Sequence, residues 1–163
     1  MEFSIIRTKK NHLKEILTLN ESFLPAVSSV DINQMNRFLR FADYFKGVLI
    51  NNKISGFLIA IQPGKKYDSL NYKWFEKKFE SFIYVDRIVI GSEFQGQGIG
   101  RALYDDLQSY ASKKTNIITC EVNIKPSNEG SMTFHQKYGF KKVGTQITDD
   151  GKKEVCLMAY KMS

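Results

Sequence analysis

Seven residues, Gln95-Gly96-Gln97-Gly98-Ile99-Gly100-Arg101, constrain this chain more than any other stretch. They lie between an apolar run ending at Ile90 and an amphipathic run beginning at Ile99, so the pattern reads as strand, glycine-rich turn and helix start. Three glycines in five positions leave few side chains between the backbone and whatever lies against it, and they permit the positive φ such a turn needs. The first four N–H groups of the following helix lack intrahelical partners, and the helix dipole adds about half a positive charge there. Together these amides form a cradle for a diphosphate. A tight connection with no ligand would use the same glycines, so the rest of the chain has to decide. Two dinucleotide patterns are excluded at once: the glycines fall at 96, 98 and 100 rather than at G-x-G-x-x-G spacing, and no G-x-x-x-x-G-K-[ST] occurs.

At 163 residues the chain is long enough for one domain, residues 1–163, with a single core. Apolar residues at 42% and aromatics at 13% argue against disorder. The longest uncharged stretch, residues 54–64, is far short of the roughly 20 residues a membrane helix needs, and the start lacks a basic region followed by an apolar one, so a cytoplasmic protein is expected. Cys120 and Cys156 lie in apolar strand-like runs and read as reduced core thiols. The net charge of +7 fits either a lysine-rich solvated surface or an anionic ligand. Scattered lysines and the lack of a recognised motif argue against nucleic acid.

In order, Phe3 to Arg7 reads as an edge strand. A helix follows Asn11 as N-cap, with Leu13, Ile16, Leu17, Asn20 and Leu24 at helical spacing. A second helix is capped by Asp31 and carries Ile32, Met35, Phe38, Leu39 and Ala42 on one face. Phe45 to Ile50 and Ile54 to Ile61 form a hairpin about residues 51–53, the second run interior to the sheet. Pro63 to Glu80 holds Tyr67, Tyr72, Trp74, Phe75 and Phe79, with a short helix over 71–79. It reads as a lid or binding loop, or else as a satellite cluster packed under a loop. Phe82 to Ile90 is a strand interrupted by Asp86-Arg87 and feeding the glycine turn. The helix after the turn presents Ile99, Ala102, Leu103, Leu107, Tyr110 and Ala111 and ends at Lys114. Ile117 to Val122 is a strand. Asn128 or Ser127 caps a helix to Tyr138, with Gly139 as its C′ residue and Phe140 beyond. Lys141 to Thr148 and Glu154 to Met162 are strands about an Asp149-Asp150-Gly151 turn.

The resulting order, β-α-α-β-β-(lid)-β-α-β-α-β-β, is a mixed α/β layer without repeats or linkers. Gln95-x-x-Gly98-x-Gly100 resembles the Gln/Arg-x-x-Gly-x-Gly/Ala acyl-CoA signature of the GNAT (GCN5-related) N-acetyltransferase superfamily. Asn128-x-x-Ser131-x-x-Phe134-His135-x-x-x-Gly139-Phe140 resembles its second motif, and the likeness covers most of the chain. The resemblance implies an α/β (α+β) fold, a mostly antiparallel mixed sheet flanked by helices with splayed fourth and fifth strands. It also implies acetyl-CoA as co-substrate and no metal. Backbone groups of Ile88, Val89 and Ile90 would pair with the pantetheine arm, residues Gln95, Gly96, Gln97, Gly98, Ile99, Gly100 and Arg101 would hold the diphosphate, and Asn128 would contact the coenzyme from the opposite side. Asp86, Glu121 and Asn123 would stand near the gap between the splayed strands. The acceptor would be a small-molecule amine or a protein N-terminal or lysine amine, with no nucleic acid and no membrane involved, and a homodimer is compatible with this scaffold.

An amine attacks a thioester only as the free base, and an ammonium of pKa about 10.4 is about three orders of magnitude short of deprotonation at neutral pH. A base is useful, and Asp86 and Glu121 are best placed for it; a structural ion pair with Arg87 or a lysine is the alternative for either. The thiolate leaving group needs a proton. The family commonly has a Tyr where this chain has His135, which makes His135 the candidate acid and Tyr138 the second. Tyr72 and Trp74 are the expected acceptor-binding aromatics, with Asn123. Two other classes of function remain: a catalytically silent CoA-binding sensor or interaction module, and nucleic-acid binding by the basic surface.

Overall fold

A computed structural model describes Met1 to Met162. Seven strands form one sheet in the order β1-β2-β3-β4-β5-β7-β6: β1 (Ser4–Arg7), β2 (Tyr44–Ile50), β3 (Lys53–Ile61), β4 (Ile83–Ile90), β5 (Ile117–Lys125), β6 (Lys141–Thr148) and β7 (Lys153–Lys161). The pairs β1-β2, β2-β3, β5-β7 and β6-β7 are antiparallel. β4 and β5 are parallel, with Ile83 opposite Ile118 and Tyr84 opposite Thr119. Five α-helices accompany them among the described residues: α1 (Leu13–Glu21), α2 (Ile32–Phe41), α3 (Leu70–Lys78), α4 (Ile99–Ala111) and α5 (Glu129–Tyr138). Two compact units can be distinguished, one of Met1–Ile61 with Val85–Ser109, the other of Gln62–Tyr84 with Tyr110 onward.

In the first unit, Phe57 to Ile61 of β3 are all fully buried, as a near-continuous apolar run in a sheet interior requires; each such large side chain contributes about 1.5–3 kcal/mol. The β2-β3 hairpin closes through Asn51 and Asn52 at φ 51° and 62°, the left-handed pair that a two-residue turn with the right strand twist demands. Asp31 caps α2 by accepting from the Gln34 amide at 2.8 Å. The Gln34 side chain does not return the bond; it accepts from Arg37 instead. Two expectations fail at α1. Asn11 lies within a 3-10 turn, Lys10–His12, and α1 starts at Leu13 without a side-chain cap. Leu24 falls beyond the helix and is exposed. α4 follows the glycine turn and buries Ile99, Leu103, Tyr104, Leu107 and Ala111; it ends at Ala111, before the lysines expected to close it. Asp106 on α4 accepts from Tyr44 Oη (2.7 Å) and Lys46 Nζ (2.8 Å) of β2. Burial and that carboxylate push the Tyr44 phenol far above its ordinary range.

In the second unit, β5 runs on to Lys125, which places Asn123 within the strand rather than in the loop after it. α5 ends as expected: Gly139 has φ 126°, and the amide of Phe140 donates to the carbonyl of His135 at 2.9 Å. A Cβ on Gly139 would come within 2.8 Å of the Tyr160 ring.

Candidate active site

The first unit supplies the turn. β4 ends at Ile90, and the Gly91 amide donates to Ser55 O at 2.8 Å, closing the ladder with β3. Gly96 and Gly98 have φ 76° and 84°, and a Cβ built on either meets nothing within 4 Å. These glycines are required by conformation, and the space beside them is open. Gln95 folds back to donate to Ile90 O (2.9 Å), and Gln97 donates to Glu93 O (3.3 Å), so the turn is tied to its own backbone. The first bond of α4 runs from the Ala102 amide to Gly98 O (3.0 Å), so the amides from Ile99 to Arg101 precede the helical ladder. Arg101 is exposed. This is a cradle a diphosphate fits: unshielded amides, no side chain in the way, and a helix dipole behind them.

Asp86 is also in the first unit, and its surroundings overturn the expectation that it acts as a base. Arg87 Nε donates to its Oδ2 at 2.7 Å, and both side chains are 4% exposed. The guanidinium also donates from Nη1 to Asn20 Oδ1 (2.9 Å) and Ser28 O (3.0 Å) and from Nη2 to Ser28 Oγ (3.0 Å), and lies 5.4 Å from the centre of the Phe38 ring. Glu21 extends the network, accepting from Ser29 Oγ, Asn20 Nδ2 and the Val30 amide; the Ser29 hydroxyl first, and then Asn20, hold its carboxyl below the usual range. The charged pair inside β4 is thus a clamp between the strand and the α1–α2 connection.

Glu121 differs. In the second unit it is half-buried and accepts from Tyr84 Oη at 2.6 Å. Tyr84 stands opposite Thr119 in the parallel ladder, so it shares a face with Thr119, Glu121 and Asn123. The same cross-strand row runs from Glu121 to Leu157 of β7 and Gly144 of β6. The Trp74 ring lies on Gly144, where a Cβ would approach it to 2.6 Å. α3 therefore covers this face: Asn71 accepts from Gln146 (2.8 Å), and Tyr72 and Phe75 are fully buried against Phe82 and Tyr84. Tyr72 was expected to meet an acceptor. Its ring is 0% exposed, and its hydroxyl donates to Gln62 O and accepts from the Lys65 amide, so it packs and does not bind. The packed-cluster reading of residues 63–80 holds for it. Trp74 is half-buried and Asn123 is buried on the Glu121 face.

His135 corrects the acid assignment. It is 3% exposed, its Nδ1 lies 2.8 Å from Ser131 O, and its ring stacks edgewise on Phe134 and Phe140. A carbonyl only accepts, so Nδ1 carries the hydrogen. Burial drives the pKa down to about 4, leaving no imidazolium at neutral pH to protonate a thiolate. Phe140 packs on Tyr160, which pairs with Ile118, on the opposite side of β5 from Glu121. Tyr138 belongs to the same ring cluster. Asn128 caps α5, its Oδ1 accepting from the Ser131 amide at 3.2 Å.

One participant was overlooked in the sequence, Tyr84. Its signal was present: it stands two residues before Asp86 in β4, at a position that a parallel neighbour would bring onto the Glu121 face.

The Acetyltransferase (GNAT) family model matches residues 12–140, and the chain belongs to this family. A search of curated proteins finds no match. Among solved structures, Ard1 from Thermoplasma volcanium is similar with a TM-score of 0.81 at 14% identity, over 100% of this chain and 99% of that one. A protein from Pyrococcus horikoshii OT3 is similar with a TM-score of 0.71 at 25% identity, over 99% of each chain. Arabidopsis thaliana Naa50, solved with the bisubstrate analogue CoA-Ac-MVNAL, is similar with a TM-score of 0.73 at 15% identity, over 99% of this chain and 100% of that one. No helix among the described residues is long and apolar enough to cross a membrane.

Proposed function

We propose that this chain is an acyl-CoA-dependent N-acyltransferase that moves acetyl from acetyl-CoA to a primary amine by direct attack on the thioester, residues 1–163 acting as one catalytic domain. The open glycine turn carries the reading: positive φ at Gly96 and Gly98, empty space beside both, and amides ahead of the first bond of α4. Acetyl-CoA supplies the activated thioester. Residues Gln95 to Arg101 would hold its diphosphate through backbone amides, the backbone of Ile88, Val89 and Ile90 its pantetheine arm, and Asn128 would contact it while capping α5. Glu121 would take the ammonium proton, directly or through water. Asn123 and Trp74, on the Glu121 face, would line the acceptor side. Naa50 was solved with an analogue joining CoA to a peptide, which favours a free peptide N-terminus as the acceptor here. The buried free thiols of Cys120 and Cys156 suit a reducing compartment, and we place the protein in the cytoplasm.

Gly98→Glu puts a carboxylate where the diphosphate would sit, at a position where the side chain itself meets no obstacle. Calorimetry should show CoA affinity falling at least about 100-fold, the cost of a like charge on desolvated amides, in a folded variant. Unchanged affinity removes the reading. Thiol release from acetyl-CoA with the peptide Met-Val-Asn-Ala-Leu, free lysine and spermidine separates an enzyme from a silent coenzyme-binding module, which would bind CoA and turn over none of them.

A further inference from the structure

We propose that Tyr84 is a positioning residue for the acyl transfer: its hydroxyl orients the Glu121 carboxylate and holds it ionised. The inference rests on Glu121 being the base. The Tyr84 hydroxyl donates to Glu121 Oε1 at 2.6 Å, a short charge-assisted geometry. Its ring is 1% exposed and has no room to swing away, because Tyr72 lies 5.7 Å and Phe75 5.9 Å from it, centre to centre. Tyr72 is itself pinned through its hydroxyl to Gln62 O (2.6 Å) and the Lys65 amide (3.0 Å). Residues 62–84 therefore form a buttress that ends on one oxygen of Glu121.

A donor to the charged form of a carboxyl favours that form and lowers its pKa. The other groups on the packed elements leave that effect to Tyr84. Across β7 the row holds Leu157, with Val155 and Ala159 on the same face, all uncharged. On β5 the face holds Thr119 and Asn123; on β6, Gly144 and Gln146. The charged residues of α3, Lys73, Glu76, Lys77 and Lys78, are exposed, and Asp86, two residues on from Tyr84 in β4, is engaged by Arg87. Fixing Oε1 also fixes where Oε2 points, so one oxygen is spent on orientation and the other faces the chemistry.

Tyr84→Phe removes the hydroxyl and keeps the ring. In the protein without acceptor, ¹³C NMR titration of the Glu121 carboxyl should show its pKa rising by about one unit in Tyr84→Phe, the size expected for losing a hydrogen bond to a charged group. With acetyl-CoA and the most active acceptor of the panel above, kcat should fall about 10- to 100-fold, the acidic limb of the pH profile should move up, and the CoA dissociation constant should stay within about threefold. In a Glu121→Gln background the same substitution should have no further effect on kcat. An unmoved Glu121 titration, or an equal loss of rate in both backgrounds, overturns the positioning role and leaves the coenzyme reading intact. Full activity of Glu121→Gln overturns both the base and its positioner, and failure of CoA to bind the parent protein overturns the function itself.

Discussion

β4 and β5 each carry a carboxylate with an equal claim to base catalysis by strand order, and their surroundings differ in kind. Around Asp86 every direction is taken: a guanidinium at 2.7 Å, itself bound to Asn20 and Ser28, and almost no exposure. Around Glu121 a single phenol approaches at 2.6 Å and the residue is half-buried. A carboxylate saturated by a buried arginine is fixed in its ionised form and walled off, so it can only hold structure. One that gives a single oxygen to a neutral donor keeps its orientation and the reach to accept a proton. Charge and position along a strand do not separate the two; the number and sign of the partners do.

The contrast can be broken in three ways. The largest effect is expected at Asp86→Ala, which leaves Arg87 buried without its counter-ion: stability to denaturant should drop by about 3–5 kcal/mol. A loss below about 1 kcal/mol would mean that the pair is not the clamp described.

Next is His135, which tests the other face of β5. With a folded pKa of about 4 against an ordinary 6.5, the unfolded chain binds the proton more readily. The stability this neutral imidazole contributes is complete above pH 6.5 and drains away as pH falls towards 4, by roughly 3 kcal/mol in total. Denaturation of the parent and of His135→Leu over that range should show the slope in the parent alone, while acetyl transfer at neutral pH survives the substitution within a few fold. A loss of 100-fold or more in kcat with CoA affinity kept would return the acid role to His135.

The smallest is Thr119→Val. The Thr119 hydroxyl, opposite Tyr84, is buried and has no hydrogen-bond partner, so replacing it by a methyl of the same shape should raise stability by about 1 kcal/mol. A loss of that size would show that the Glu121 face needs the hydroxyl.

Features that depend on neighbours in sequence were legible. Glycine spacing gave the turn, Asp31 and Asn128 gave their caps, Gly139-Phe140 gave the end of α5, and Asn51-Asn52 gave the hairpin. Features that depend on register were not. Arg87 finds its partners at Asn20 and Ser28, about sixty residues back, and Tyr84 meets Glu121 only because two strands separated by α4 lie parallel. The aromatics of α3 show why composition misleads: Tyr72 and Phe75 sit three apart on one helical face, a spacing that serves a lid and a packed layer equally. His135 failed for the opposite reason. A motif position placed it correctly on α5, but burial decides whether an imidazole can carry a proton, and burial is not local.

The open ground beside Gly96 and Gly98 makes handedness, and not size, the quantity these two positions select. An L side chain there strains the backbone without touching anything, whereas a residue of the opposite chirality prefers the positive φ that both already adopt. D-alanine introduced by chemical synthesis would fit either site and remove conformational freedom from the unfolded chain. The natural chain, confined to L residues, has glycine as its achiral substitute, and the entropy of ordering two glycines falls on a turn secured by two glutamine side chains.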